Sequence, residues 1–259
     1  MTASINAILR PLAAPVIALA LFEFWFRTSG RISDTLAPPS AWLSAFAASA
    51  TDGSLAQATV ETFGTMLTGL AIGVSLGLAG GILIGTMRAA DDASALTVEM
   101  LRPIPSVALL PLALMIFGFG FKMEVFVVAF ATFWPFLILS QSAVRQVERG
   151  LIEVSRAIGL TRTGTAFKII LPAAAPRLMT AFRLAAGIAL VVAITCEIAA
   201  NPQGLGHALM LAQETLRPAR MFAFLIWIGV LGLIINTGLL ALERWLFAHR
   251  GDYDTSVST

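Results

Sequence analysis

Charge is what this chain most conspicuously lacks. Of its 259 residues only 12% are Asp, Glu, Lys or Arg, whereas 58% are hydrophobic and the mean hydropathy is +0.85. Soluble domains carry about 25% charged residues, so this composition excludes a fully water-facing surface. The one cysteine, Cys196, excludes an intramolecular disulfide. The two histidines, His207 and His249, stand alone and H-E-x-x-H is absent, so no metal centre is expected. G-x-x-x-x-G-K-[ST] is also missing, so the chain has no loop of its own to cradle ATP phosphates. No G-x-S-x-G elbow occurs, and no catalytic residue stands out. A formal charge of +2 is too small to imply a nucleic-acid partner.

What the chain does have is long apolar runs broken by short polar ones. That pattern predicts an all-α polytopic protein of the lipid bilayer. A closed β-barrel would instead alternate over about ten residues, and no such alternation occurs. Six spans are expected, near residues 11–27, 62–87, 103–118, 123–143, 178–200 and 221–247. Pro103, Pro105 and Pro111 interrupt the third, because proline removes a backbone donor and kinks a helix. The first run follows Arg10 but no small-x-small cleavage site follows it, so it reads as a retained span rather than a secretory signal. The whole of 1–259 reads as one transmembrane domain, with its core at 60–248.

Orientation follows from the basic residues. With the N-terminus inside, the inner face receives Arg10, Arg88, Arg102, Arg145, Arg149, Arg156, Arg162, Lys168, Arg177, Arg183, Arg244 and Arg250. The outer face receives only Arg27, Arg31, Lys122, Arg217 and Arg220. Both termini are therefore expected on the cytoplasmic side. On the outer side, Ser40 is expected to cap a short helix lying flat at the interface through Trp42 and Phe46. Gly204 and Gly206 read as a turn before a helix over 207–216. The polar tail from Gly251 reads as disordered.

Within the second span Gly69, Gly73, Gly77, Gly81 and Gly85 recur every four residues. Glycines at that spacing open a groove along one helical ridge, for packing within the subunit or for a sliding or dimer contact. Glu197 is an acidic residue near the outer end of the fifth span, which makes it a pathway or gate candidate. Ser106, Thr132, Gln141 and Thr195 can meet a polar solute, or serve only to join helices. Arg183 is expected to snorkel to the inner face or to pair near Glu153.

The most specific signal lies between the fourth and fifth spans. Residues 144–176 form a polar, basic loop containing EVSRAIGLTRTGTAFKIILP. Leu151, Val154 and Ile158 share one helical face over 148–160. Gly159 can end that helix in the left-handed conformation. A second helix is expected from Thr163 to Ile170, stopped by Pro172, with Pro176 near the start of the next span.

The spacing of Glu153, Gly159, Ile169, Leu171 and Pro172, E-x5-G-x9-I-x-L-P, resembles the EAA loop of type I ABC-importer permeases. LAPPSAWL (36–43), LRPIPSVALLPLALMIFGFG (101–120) and GLGHALMLA (204–212) are similar to the nitrate, sulfonate and taurine branch. Val154-Ser155 stands where that family has two alanines. The resemblance implies a type I importer permease fold in the bacterial inner membrane, a second copy of the chain, two ATPase subunits and an extracytoplasmic binding protein. ATP and magnesium would be used by the ATPase, and no cofactor by this chain. It also implies that Glu153, Val154, Ser155, Ile158, Gly159, Ile169, Leu171 and Pro172 form the ATPase-coupling loop. The rival readings are an ion-driven secondary transporter, which normally shows inverted repeats, and an intramembrane enzyme, which needs paired acids or a nucleophile–base set. Neither signature is present. The solute stays open among nitrate, an alkanesulfonate, taurine, an aromatic acid and a vitamin precursor.

Overall fold

The computed structural model describes residues 2–29 and 35–247 of the 259. The tail from Gly251, together with Arg31 and Arg250, lies outside the described residues. Along the chain the helices are α1 (Thr2–Ser29), α2 (Pro39–Thr51), α3 (Ser54–Thr86), α4 (Arg88–Leu101), α5 (Leu110–Phe117), α6 (Phe121–Arg145), α7 (Arg149–Ala157), α8 (Arg162–Thr165), α9 (Leu171–Ala199), α10 (Gly204–Glu214) and α11 (Pro218–Phe247). Among the described residues, α3, α6, the continuous helix Thr163–Ala199 and α11 are each long and apolar enough to cross a bilayer.

The glycine ridge sets the central helix pair. A Cβ added at Gly69 would stand 2.7 Å from the Val128 Cβ, at Gly81 2.5 Å from the Ser140 Cβ, and at Gly85 3.0 Å from the Val144 Cβ. At Gly73 it would run into the Thr132 hydroxyl, and at Gly77 it would lie 3.0 Å from the Phe133 carbonyl oxygen. All five glycines therefore admit α6 of the same chain. Numbers rise together along the two helices, so α3 and α6 run parallel.

A parallel pair needs a return crossing between its members. Phe121 lies beside Gly64, and Val144 lies beside Gly85. The segment 87–120 must therefore climb ~31 Å, the length of 21 helical residues at 1.5 Å each. That is about the thickness of the hydrocarbon core. The third crossing is thus present and broken, as its prolines suggest, but it is not confined to 103–118. It consists of α4 and the helical stretch Ser106–Phe117, bent by 82°. Ser106–Leu109 is a tight 3-10 turn after Pro105, and Pro111 sits in the first turn of α5, where its missing N–H costs nothing.

The remaining helices build on this pair. α9 runs antiparallel to α6: Leu178 packs with Ala143 and Val144 at one end, and Asn201 meets Glu124 at the other. The core between α3, α6 and α9 is filled by Met66, Leu70, Met123, Val127 and a row of small residues, Ala185, Ala189 and Ala193. The alanines let α9 approach closely. α11 meets both partners: the Trp227 indole donates to Thr59 of α3 (2.9 Å), and Glu243 lies beside Arg183 of α9.

Several local expectations change. α2 begins on Pro38 and Pro39, and Ser40 does not cap it. Instead the Ser40 N–H and hydroxyl both donate to Glu23 of α1, at 3.0 and 2.8 Å. Trp42 stacks on Phe222 with centroids 4.8 Å apart, and Phe46 meets Trp227 at 5.5 Å. This aromatic face packs on α11. Pro172 does not stop a helix, because the chain runs on from Thr163 to Ala199. A π turn at Ala166–Ile170 just before it widens the backbone where the proline has no N–H to give. Gly204 and Gly206 are the first turn of α10 rather than a separate turn. Arg183 pairs with Glu243 of α11 at 3.0 Å, not with the region of Glu153.

Candidate functional site

At one end of the bundle, the loop between α6 and α9 folds into a compact knob. Glycine is required where α7 ends: Gly159 has φ +74°. Leu160 N–H donates to the Ser155 carbonyl and Gly159 N–H to the Arg156 carbonyl, both at 3.0 Å. These are the paired bonds of a Schellman cap. Thr161 then caps α8, accepting the Gly164 N–H at 3.1 Å.

Ser155 pins the two short helices together. It is fully buried, donates to the Ile152 carbonyl at 2.6 Å and accepts the Thr165 hydroxyl at 3.2 Å. A small residue is needed there. Its neighbour Val154 points away from the body and is 56% exposed, so its bulk does not disturb the knob. Leu151, Ile158 and Phe167 are exposed as well. The apolar face read from the sequence is therefore open. Glu153 is exposed beside it, Ile169 and Leu171 are half-buried, and Pro172 is exposed. The base of the knob is tied to α4, where Asp91 accepts from Gln141 at 2.8 Å and pairs with Arg145 at 2.5 Å.

Next to the knob end lies a cavity of 910 Å³ between α6, α9 and α11. Its polar lining is Ser142, Gln146, Arg177, Thr180, Arg183 and Asn236, on walls of Leu139, Leu184, Ile188 and Val191. Two guanidinium groups face it against one carboxylate, Glu243, which pairs with Arg183 and accepts the Thr180 hydroxyl at 3.0 Å. The balance favours an anion.

At the opposite end, side chains cap α10. Gly204 N–H donates to Glu61 at 2.9 Å, Leu205 N–H to the Thr62 hydroxyl at 2.9 Å, and Gly206 N–H to Glu197 at 2.7 Å. These are the first donors of a helix, which have no partners within it. Gly204 has φ +89°, and its missing Cβ leaves the space that the Glu197 carboxyl group fills. Glu124, fully buried, accepts from Thr65 and from the Asn201 amide, both at 2.5 Å.

The residues named from the sequence as meeting a solute do not converge. Ser106 lies in the 3-10 turn. Thr132 is buried against Gly73, with its hydroxyl on the Val128 carbonyl (2.9 Å). Gln141 reaches Asp91, and Thr195 donates to the Val191 carbonyl (2.7 Å). Glu197 is buried in the α10 cap. Sequence reading missed Glu61, Glu124 and Asn201, although an acid in the apolar run KMEVFVVAF was a visible signal for Glu124. It also missed the cavity role of Arg177.

The family described as "binding-protein-dependent transport system inner membrane component" matches residues 69–248. A protein of Methanocaldococcus jannaschii described as an ABC transporter permease is 32% identical over 199 residues, 76% of this chain and 74% of its own length. The taurine transport system permease protein TauC of Escherichia coli is 27% identical over 218 residues, 84% of this chain and 76% of its own length. Among solved structures, the inward-facing MetNI methionine ABC transporter aligns with a TM-score of 0.64 at 22% identity, over 72% of this chain and 93% of that one. The family match over residues 69–248 and the 32%-identical relative place the chain in the binding-protein-dependent inner membrane component family, as the permease subunit of an ABC importer.

Proposed function

We propose that the permease carries a small solute bearing an anionic group, of the sulfonate or taurine type, as a homodimer whose knob follows the ATPase. Coupling rests on one observation: α7 exposes Leu151, Val154 and Ile158 together at the end of a rigid two-helix knob. An apolar face of that kind on a polar loop is suited to a groove on a partner. Ser155 and the Gly159 elbow hold the knob stiff, so that movement of the ATPase is passed to α6 and α9 rather than lost in the loop. ATP and magnesium are bound by the ATPase. Its closure around ATP favours one arrangement of the spans over the other, which is population shift by differential binding.

Recognition of an anionic group is supported by Arg177 and Arg183 in the large cavity, and by the named solute of the taurine relative, which carries a sulfonate. The cavity is lined by one copy from one side. A second copy facing it would close it into a chamber at the dimer axis. The excess of basic residues at the knob end supports cytoplasmic termini. The binding protein then docks at the α10 end.

Reconstitution of the permease with its ATPase and binding protein tests this reading. ATP-dependent uptake of labelled taurine, an alkanesulfonate or nitrate is the expected result. Uptake only of cationic or apolar solutes would overturn the anion assignment.

A further inference from the structure

The α10 end holds more negative charge than its surroundings neutralise. Glu124 and Glu197 are 0% and 2% exposed. Together with Glu61 they line a cavity of 130 Å³. Among the described residues, none of the three forms a salt bridge. The N-terminus of α10 offsets only about half a unit charge. Burying an unpaired carboxylate costs several kcal/mol, so such groups are neutralised by a bound partner or a proton.

A second observation indicates what is missing. Asn201 is 2% exposed and lines the same cavity. Its Nδ2 donates to Glu124, but its Oδ1 has no hydrogen-bond partner. Glu197 Oε1 has none either. Both orphaned atoms are acceptors, so they call for a cation or a donor. Among the described residues no group of three His, Cys, Asp or Glu side chains is placed to hold a metal ion, so a ligand set here has two carboxylates at most and takes its third oxygen from the Asn201 amide. The oxygens present are carboxylate, amide and hydroxyl, a hard set that excludes soft metals, and with no third acidic ligand it suits a cation of low charge.

We propose that this cavity binds one monovalent cation of sodium size, held by Glu124, Glu197 and Asn201. The ion locks α6, α9 and the first turn of α10 together at the end away from the knob. Its volume leaves room for the ion and a few waters, each taking about 30 Å³.

The test uses the permease–ATPase complex in nanodiscs at fixed pH and ionic strength, titrating sodium chloride against choline chloride. Thermal stability should show a saturating rise of about 5 °C with sodium. Radioactive sodium should bind once per permease. Glu124→Gln and Asn201→Ala should each lose both effects, while Glu214→Gln on the exposed face of α10 keeps them. If Glu124→Gln fails to assemble, Asn201→Ala alone decides. Equal stability in sodium and choline without sodium binding would overturn the proposal, and pH dependence without sodium dependence would assign the neutralisation to protons. Sodium binding that survives both substitutions would place the ion elsewhere and also overturn it. Neither readout involves uptake, so the outcome is independent of the solute reading.

Discussion

Gly81 lies so close to Ser140 that a Cβ on the glycine would stand 2.5 Å from the serine Cβ and 2.8 Å from the Leu137 carbonyl oxygen. The neighbouring atoms include backbone, which cannot turn aside as a long side chain can. Gly81→Leu, and likewise Gly77→Leu, should separate α3 from α6. Overpacking costs about 1–3 kcal/mol, and more where backbone must move. The expected outcome is loss of folded permease in fluorescence size-exclusion profiles. A normal profile with normal transport would mean that the ridge is not the packing seam.

The Gly159 elbow supports a different kind of prediction. A β-branched residue at φ +74° is strained by about 1–3 kcal/mol. Gly159→Val should leave the spans inserted while the knob loses its shape. Gly159→Asn, which tolerates that conformation better, should retain most function. Co-purification of the ATPase with each variant is the check, and equal retention by the valine and asparagine variants would contradict the elbow's role.

The Arg183–Glu243 pair is partly exposed, with 27% and 24% of the side chains accessible. Its contribution to stability is therefore about 1 kcal/mol or less. Glu243→Gln should lower thermal stability only slightly but raise the positive charge of the large cavity. Anion uptake should show a lower apparent KM with little change in assembly. An unchanged KM would detach Arg183 from the solute path.

Sidedness is testable because the native cysteine, Cys196, is buried and should not react. Cysteines placed at Arg162 and Gln213 should label from opposite sides of the membrane. Labelling of both from outside would contradict the assigned orientation.

The sequence carried the periodic features well. Glycines at every fourth position mark the α3 ridge, and Gly159 marks the α7 cap, because each depends on local backbone geometry. Features that depend on distant partners were not legible. Pro172 looked like a stop because nothing local announces the π turn that accommodates it. Ser40 looked like a cap because Glu23, its partner, is 17 residues away in α1. The buried site at the α10 end joins Thr65 to Glu124 across 59 residues and Glu124 to Asn201 across 77. No spacing rule links such positions, so Glu197 was visible only as an isolated acid.

The central claim is that the open face of α7 is where the ATPase holds this permease. Val154→Asp tests it most directly, since the side chain is 56% exposed and plays no part in the fold of the knob. Hydrolysis and uptake would be measured together in proteoliposomes with ATPase and binding protein present. The account predicts a permease that inserts normally, loses the ATPase on purification and shows at least tenfold less coupled turnover, the effect of about 1.4 kcal/mol in binding. Wild-type coupled turnover in Val154→Asp, with stoichiometric ATPase retained, would contradict it.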